Sequence, residues 1–234
     1  MGKKIGQGIR EPSTPLPRLL GGEVKNTTIE WTNMTWDVIE GCKHNCPYCY
    51  VRRFKKDMTP RFYPERLREP EKVKTPKKIF VVNKGDLFGN WMPNEWIEAI
   101  LEIIKRCPWH TFQLLTKNPA KMLEFDLPKN TWAGASVTKQ EDCLRINIIR
   151  IAENPKVKYI SFEPILGFID PDLTGIDWVI IGAETEKNSY TPKNKELSQK
   201  FARPLIEKVL NLKIPLFLKE NLKWNQKIQQ YPKP

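Results

Sequence analysis

The sequence predicts an α/β protein, a single domain whose parallel strands curl into a partial (β/α)6-type TIM-like barrel. Three observations carry that expectation. Short β-branched apolar runs alternate with amphipathic stretches along most of the 234 residues. Nearly every run ends on a polar or charged residue, as strands leaving a barrel wall do. The glycine-rich first turn that marks a flat doubly wound sheet is missing.

In chain order, residues 1–30, with EPSTPLPRLLGG at their centre, show neither helical nor strand period and read as an arm or strap. Gly6-x-Gly8 has no preceding strand and no third glycine, so it carries no nucleotide signal. TWDVIEG, around Trp36, reads as a short strand that delivers a cysteine loop. Residues 78–83 (KIFVVN) form the next strand, and residues 94–106 set Ile97, Ile100, Leu101 and Ile104 at helical spacing, with Pro93 and Glu95 suited to the first turn. The alternation continues with 111–116 (TFQLLT), a short helix over 119–125, and the strand 131–137 (TWAGASV). Thr138-x-x-Glu141 then reads as a capping box opening a helix with Leu144, Ile148 and Ile151 on one face. Strands at 157–162 (VKYISF) and 178–181 (WVII), a helix near 201–212 that starts afresh at Pro204, and a last strand at 215–218 (PLFL) complete a domain over 31–220. Residues 221–234 read as a tail.

Hydrophobic residues at 40% and charged residues at 28% are those of an ordinary globular chain. No apolar run approaches the roughly 18 residues of a membrane span, and MGKKIGQGIR lacks the apolar core of a signal peptide, so a cytoplasmic protein with no membrane partner is expected. An odd number of cysteines, five, fits a reducing compartment. The Asn-x-Thr triplets at Asn26 and Asn33 are then chance matches to a glycosylation acceptor. A net charge of +12 favours a polyanionic partner, RNA or DNA, or an anionic substrate. The stretch 50–68 adds Arg52, Arg53, Lys55, Lys56, Arg61, Arg66 and Arg68 interleaved with Phe54, Phe62 and Tyr63, a pattern that tracks phosphates and stacks bases when it is not simply a solvated face. With only His44 and His110, no Ser-His-Asp arrangement or two-histidine metal site stands out.

The chemistry concentrates in Gly41-Cys42-Lys43-His44-Asn45-Cys46-Pro47-Tyr48-Cys49-Tyr50, three cysteines spaced C-x3-C-x2-C. Mutual disulfide pairing leaves one thiol over, so the cluster reads as a metal loop. Zinc would close its shell with His44 as fourth ligand. A 4Fe-4S cluster would take the three thiolates and leave one iron open. Read in order, the strand ends supply this loop, then Asp86, Lys117, Ser136, Glu163, Glu184 and Lys219, which together describe a lined pocket on one rim.

The loop, with an aromatic residue before its last cysteine, resembles the signature of radical S-adenosylmethionine (radical SAM) enzymes. That resemblance implies that Cys42, Cys46 and Cys49 hold a 4Fe-4S cluster whose open iron is chelated by SAM, with Tyr48 beside the adenine. It implies that Gly85 and Asp86 bind the SAM ammonium, although Lys84 stands where a further glycine is usual. Lys117 is assigned to the SAM carboxylate, Ser136 to ribose or carboxylate, and Glu163 to a ribose hydroxyl or the substrate; Glu184 joins them as a cofactor-side residue. Cys143 is the candidate hydrogen-atom donor, and Cys107 reads as a small core residue. An external one-electron reductant such as ferredoxin or flavodoxin is implied. Taken together, TWDVIEGC, NKGDLF, FQLLTKNP, WAGASV, SFEPILG and WVIIGAE look like a group of small phage- and prokaryote-associated proteins grouped with radical SAM proteins, over about 29–219. The resulting expectation is SAM cleavage to a 5'-deoxyadenosyl radical acting on a substrate such as a nucleobase in RNA or DNA. The competing reading is a zinc-stabilised nucleic-acid-binding protein.

Overall fold

The structure, a computed structural model, describes residues 25–186 and 192–233. The expected arm lies outside them as far as residue 24, and so does Gly6-x-Gly8. The elements are β1 (Lys25–Asn26), β2 (Met34–Trp36), β3 (Ile39–Glu40), β4 (Arg61–Phe62), α1 (Glu69–Lys72), β5 (Lys78–Val81), α2 (Asn94–Arg106), β6 (Thr111–Thr116), α3 (Pro119–Met122), β7 (Thr131–Ser136), α4 (Leu144–Arg150), β8 (Val157–Phe162), β9 (Trp178–Ile181), α5 (Lys195–Asn211) and β10 (Leu216–Leu218). One sheet runs in the order β1-β2-β5-β6-β7-β8-β9-β10. β1 is antiparallel to β2, and every later neighbour is parallel, so the described residues form an open half-barrel of seven parallel strands. β3 and β4 pair separately as an antiparallel ladder. Among the described residues no helix is long and apolar enough to cross a membrane.

Side chains alternate between the two faces of a strand, and here both faces are buried. The outer row, exemplified by Ile79, Phe112, Ile160, Val179 and Leu216, packs in one core with Ile97, Ile100 and Ile104 of α2 and Leu205 and Val209 of α5. Each such side chain, once buried, contributes roughly 1.5–3 kcal/mol. The α2 periodicity buries these isoleucines, while Glu95 in its first turn and Lys105 and Arg106 in its last suit the helix dipole.

The inner row is graded along the strands. Phe80, Trp132, Tyr159, Trp178 and Phe217 make an aromatic floor with Trp31, whose ring lies 4.7 Å from Phe80 and 6.3 Å from Trp178. Tyr159 lies flat over Gly134, where a Cβ would fall 2.4 Å from the tyrosine ring. Further toward the carboxyl ends the wall becomes small and polar, with Ser136 and Ser161 as register partners and Glu163 and Lys219 beyond them. The floor is filled by aromatic rings, and the polar residues lie at the carboxyl ends of the strands, the end at which barrels of this kind bind their ligands.

Three local expectations differ from the structure. The capping box closes on Asp142 rather than Glu141: the Thr138 N–H and hydroxyl both donate to Asp142 Oδ2, at 3.0 and 2.9 Å, because a 3-10 turn over Gln140–Cys143 precedes α4. α5 is one helix that runs through Pro204, started by the Asn194 side chain accepting from the Leu197 N–H at 2.9 Å and held by a buried face on both sides of the proline. The segment read as a tail packs along the outer edge of β10. The Leu218 N–H donates to Ile228 O at 2.8 Å, the Gln230 N–H to Leu216 O at 2.9 Å, and Tyr231 stacks 5.5 Å from Trp178. An edge strand leaves backbone donors open, and this segment satisfies them.

Glu30 joins the two ends of the described chain, accepting from the Glu220 N–H at 2.9 Å and from Gln229 Nε2 at 3.3 Å. Burial raises its carboxyl above the ordinary 4.5, with Glu220 and Glu163 adding and the Glu220 N–H and Lys219 opposing. A raised acid holds its proton more tightly in the folded chain. Its contribution to stability is therefore complete below pH 4.5 and declines as pH rises through the folded value. Denaturant midpoints measured over a pH series should show wild type losing stability relative to Glu30→Gln between pH 4.5 and neutrality, with the two running parallel below that. Parallel curves throughout would contradict the assignment.

Candidate functional site

The cysteine loop is seated on the barrel by backbone geometry. Gly41 adopts φ 109°, a region open to glycine, and a Cβ there would lie 2.4 Å from the Thr59 carbonyl oxygen. This lets Gly41 bridge in parallel to Gly85, its N–H donating to Lys84 O at 3.0 Å, while the Cys42 N–H donates to Met58 O at 2.9 Å. Asn45 takes the left-handed conformation at φ 53°, which asparagine tolerates, and the Cys49 N–H closes a turn on Cys46 O at 3.1 Å. Val82, a β-branched residue at φ 57°, turns the chain from β5 toward Gly85 and Asp86; such a conformation costs on the order of 1–3 kcal/mol and persists only where its surroundings hold it. The Val82 N–H to Trp36 O bond, 2.9 Å, is one of those restraints.

From this seat the loop reaches the ends of four strands. His44 Nε2 lies 2.7 Å from Asp86 Oδ2 after β5. Lys117 Nζ, after β6, stands 5.8 Å from the centre of the Tyr48 ring. The Tyr48 hydroxyl hydrogen-bonds with the side chains of Thr138, after β7, and Cys46, and burial pushes its phenol well above the usual range. Past the cysteines, Arg53 donates to Thr185 O at 2.6 Å and to Glu186 O, after β9. Tyr50 anchors the return by donating to Asn83 Oδ1 at 2.7 Å.

Asp86 is buried and fully bonded. Its Oδ1 accepts from Thr116 Oγ1 at 2.6 Å and the Phe88 N–H at 3.1 Å, and its Oδ2 accepts from the Lys117 N–H at 2.9 Å besides His44. Burial alone would raise this carboxyl, but the bonds from His44, Lys117 and Thr116 hold it below the usual carboxylate range. Ser136 is buried on the inner wall just below Thr138. Glu163 and Lys219 form an ion pair on the β8–β10 side of the rim. Glu184 pairs with Lys193 at 3.2 Å. Cys143 is half-buried against the hydrophobic core, where burial, foremost, and then Asp142, Asp170 and Glu141 raise its thiol. Cys107 is fully buried in that same core.

The basic stretch is largely paired with partners in the same chain, Arg61 and Arg68 in exposed ion pairs. Arg53 binds carbonyls, Lys55 and Arg66 pair with Glu40, Arg61 with Asp57 and Arg68 with Glu71, and Phe62 stacks on Trp96 at 5.4 Å. Arg52, Lys56 and Phe54 are exposed, Phe54 to 67%.

The three loop cysteines are half-buried free thiols. Burial, foremost, with Asp86 and Cys46 adding, pushes Cys42 up to about 11 against the His44 N–H and Lys117. Among the described residues no three His, Cys, Asp or Glu side chains are gathered as the ligands of a single metal ion are. The donor set, three free thiols in one loop at the strand ends, is of the chemistry that would hold a 4Fe-4S cluster, in which each thiolate takes a different iron. Thr116 and Asn83 were not singled out in the sequence, and Thr138 was read there only as a helix cap; each lies within two residues of a strand's carboxyl end, the signal that picked out Lys117 and Ser136.

A surface cavity of about 650 Å³ lined by Asp170, Leu173, Lys208 and Ile214 brings none of these rim residues together.

Comparison with solved structures finds spore photoproduct lyase complexed with dinucleoside spore photoproduct at TM-score 0.49 and 12% identity, over 77% of this chain and 64% of that one. A point mutant of spore photoproduct lyase follows at TM-score 0.46 and 10% identity, over 80% and 55%. This chain thus spans less than two thirds of the length of either. No curated protein matches the sequence. A family model described as "Protein of unknown function (DUF5131)" matches residues 26–233, nearly the whole described chain, and the protein belongs to that family.

Proposed function

We propose that this protein is a radical SAM-type enzyme in which Cys42, Cys46 and Cys49 hold one 4Fe-4S cluster. The observation that carries the reading is the seating of a three-cysteine loop over the carboxyl ends of β5, β6 and β7, where Asp86, Lys117 and Thr138 meet it. When bound, the cluster and SAM would supply reductive cleavage of SAM to methionine and a 5'-deoxyadenosyl radical, with an external one-electron donor such as ferredoxin or flavodoxin. Lys117 offers a point positive charge for a carboxylate, Tyr48 an aromatic face beside it, and Ser136 a hydroxyl on the wall below. Gly85 keeps the rim low beside the loop. Glu163, paired with Lys219, and Glu184 occupy the opposite side of the mouth, where a substrate would sit. The substrate class we favour is a nucleobase in RNA or DNA, supported by the net charge of +12 and by exposed Phe54 beside Arg52 and Lys56.

The test is anaerobic reconstitution followed by iron and sulfide analysis and spin-resonance spectra of the reduced protein with and without SAM. The reading expects about four irons per chain, a reduced-cluster signal that SAM perturbs, and slow formation of 5'-deoxyadenosine. One zinc per chain and no cluster would replace it with the zinc-stabilised nucleic-acid-binding reading. One observation favours that second reading: a histidine bonded to a carboxylate, as His44 is to Asp86, is the arrangement in which imidazoles commonly serve zinc.

A further inference from the structure

Asp86 stands where a SAM-ammonium ligand is expected from sequence, yet its surroundings give it other work. A carboxylate has about four acceptor positions, and Asp86 fills them with Thr116 Oγ1 at 2.6 Å, the Phe88 N–H at 3.1 Å, His44 Nε2 at 2.7 Å and the Lys117 N–H at 2.9 Å. It is only 5% exposed, so a cofactor amine could reach it only by displacing one of these partners. The donors come from three places: its own turn after β5, the end of β6, and the middle of the cysteine loop. His44 lies between Cys42 and Cys46, and its ring is steered by an edge-on contact with Trp91, centroids 4.8 Å apart.

The loop has little regular structure of its own, a single short turn closed by the Cys49 N–H. Drawing three thiols onto one cluster from a free loop costs the ordering of every residue between them. Fixing the loop at its centre removes much of that cost beforehand.

We propose that the buried Asp86 carboxylate and His44 form a latch that seats the cysteine loop on the ends of β5 and β6 before any cluster is bound. Asp86 is then a positioning residue for the loop and not the receiver of the cofactor amine. The proposal rests on the cysteines being cluster ligands only for its purpose; the latch itself belongs to the metal-free chain.

The experiment therefore begins with full-length protein freed of metal under reducing, oxygen-free conditions. Alkylation rates of Cys42, Cys46 and Cys49 are followed by mass spectrometry, with Cys143 and fully buried Cys107 as internal references, alongside hydrogen exchange of amides 41–50. His44→Ala should accelerate modification of the loop thiols about tenfold or more, the increase in local opening expected when a hydrogen bond to a charged group is lost, with Cys143 and Cys107 unchanged. His44→Gln, whose amide can still donate to Asp86, should restore part of the protection. Asp86→Asn should act in the same direction, and if that variant does not fold the histidine pair still decides. Equal thiol reactivity and exchange in His44→Ala and wild type would overturn the latch. After reconstitution, SAM affinity separates the two roles of Asp86: the latch expects Asp86→Asn and His44→Ala to weaken it together, whereas a loss confined to Asp86→Asn would return Asp86 to the role of amine ligand. A wild type that takes up no iron would overturn the proposed function and leave the alkylation result to stand by itself.

Discussion

Alanine at Cys42, Cys46 or Cys49 should reduce reconstituted iron to a small fraction of the wild-type content and take 5'-deoxyadenosine formation to background, a loss of roughly a thousandfold or more, or about 4 kcal/mol of barrier. The fold should survive. These thiols are half-buried and form no disulfide, so each substitution removes little packing and should shift stability by about 1 kcal/mol or less. The informative member of the series is His44→Ala. If the loop holds zinc through three cysteines and His44, that variant should lose metal as fully as the cysteine variants do. If it holds a cluster, His44→Ala should keep near-normal iron after reconstitution, because the latch orders the loop without supplying a ligand, while the cysteine variants lose it. Iron and zinc analysis on the four proteins, with thermal melts as the folding control, separates the readings. Normal iron in any of the cysteine variants would remove that residue from the ligand set.

The strands, α2 and the cysteine loop were legible in the sequence because each announces itself locally, by short continuous β-branched apolar runs, by isoleucines at helical spacing, or by thiol spacing. Lys117 and Ser136 were legible for a related reason: a polar residue directly after a buried strand must stand at the rim. What was not legible depended on partners far apart in the chain. Asp86 read as an open acid because nothing local shows that Thr116 and His44, 30 and 42 residues away, fill its lone pairs. Arg66 and Lys55 read as free charge because Glu40, which neutralises both together with Lys84, sits on the far side of the cysteine loop in sequence. The segment after residue 220 read as a tail because what holds it, backbone bonds to β10, one stacked tyrosine and the scattered apolar residues Leu222, Trp224 and Ile228, leaves no periodicity.

Gly41→Ala should be the most damaging glycine-to-alanine change among the described residues, because its Cβ would meet backbone. A Cβ there would lie 2.4 Å from the Thr59 oxygen and 2.7 Å from its carbonyl carbon, both backbone atoms that cannot rotate aside, and φ 109° is a conformation L-residues rarely adopt. Backbone strain of about 1–3 kcal/mol adds to an overpacking cost of similar size. The loop can escape only by leaving its seat, which breaks the Gly41 N–H bond to Lys84 and the Cys42 N–H bond to Met58 and carries Cys42 away from Asp86 and Lys117. The expected result is a loss of about 3 kcal/mol or more in denaturant unfolding, together with failure to take up iron. Gly175 provides the control, since it also has positive φ, 73°, but a Cβ there would meet only the Arg150 side chain at 3.3 Å, which can give way. Gly175→Ala should cost about 1 kcal/mol and leave iron uptake intact. If the two variants behave alike, the close approach at Gly41 is not what seats the loop, and Asp86 with His44 must hold it without help from the backbone.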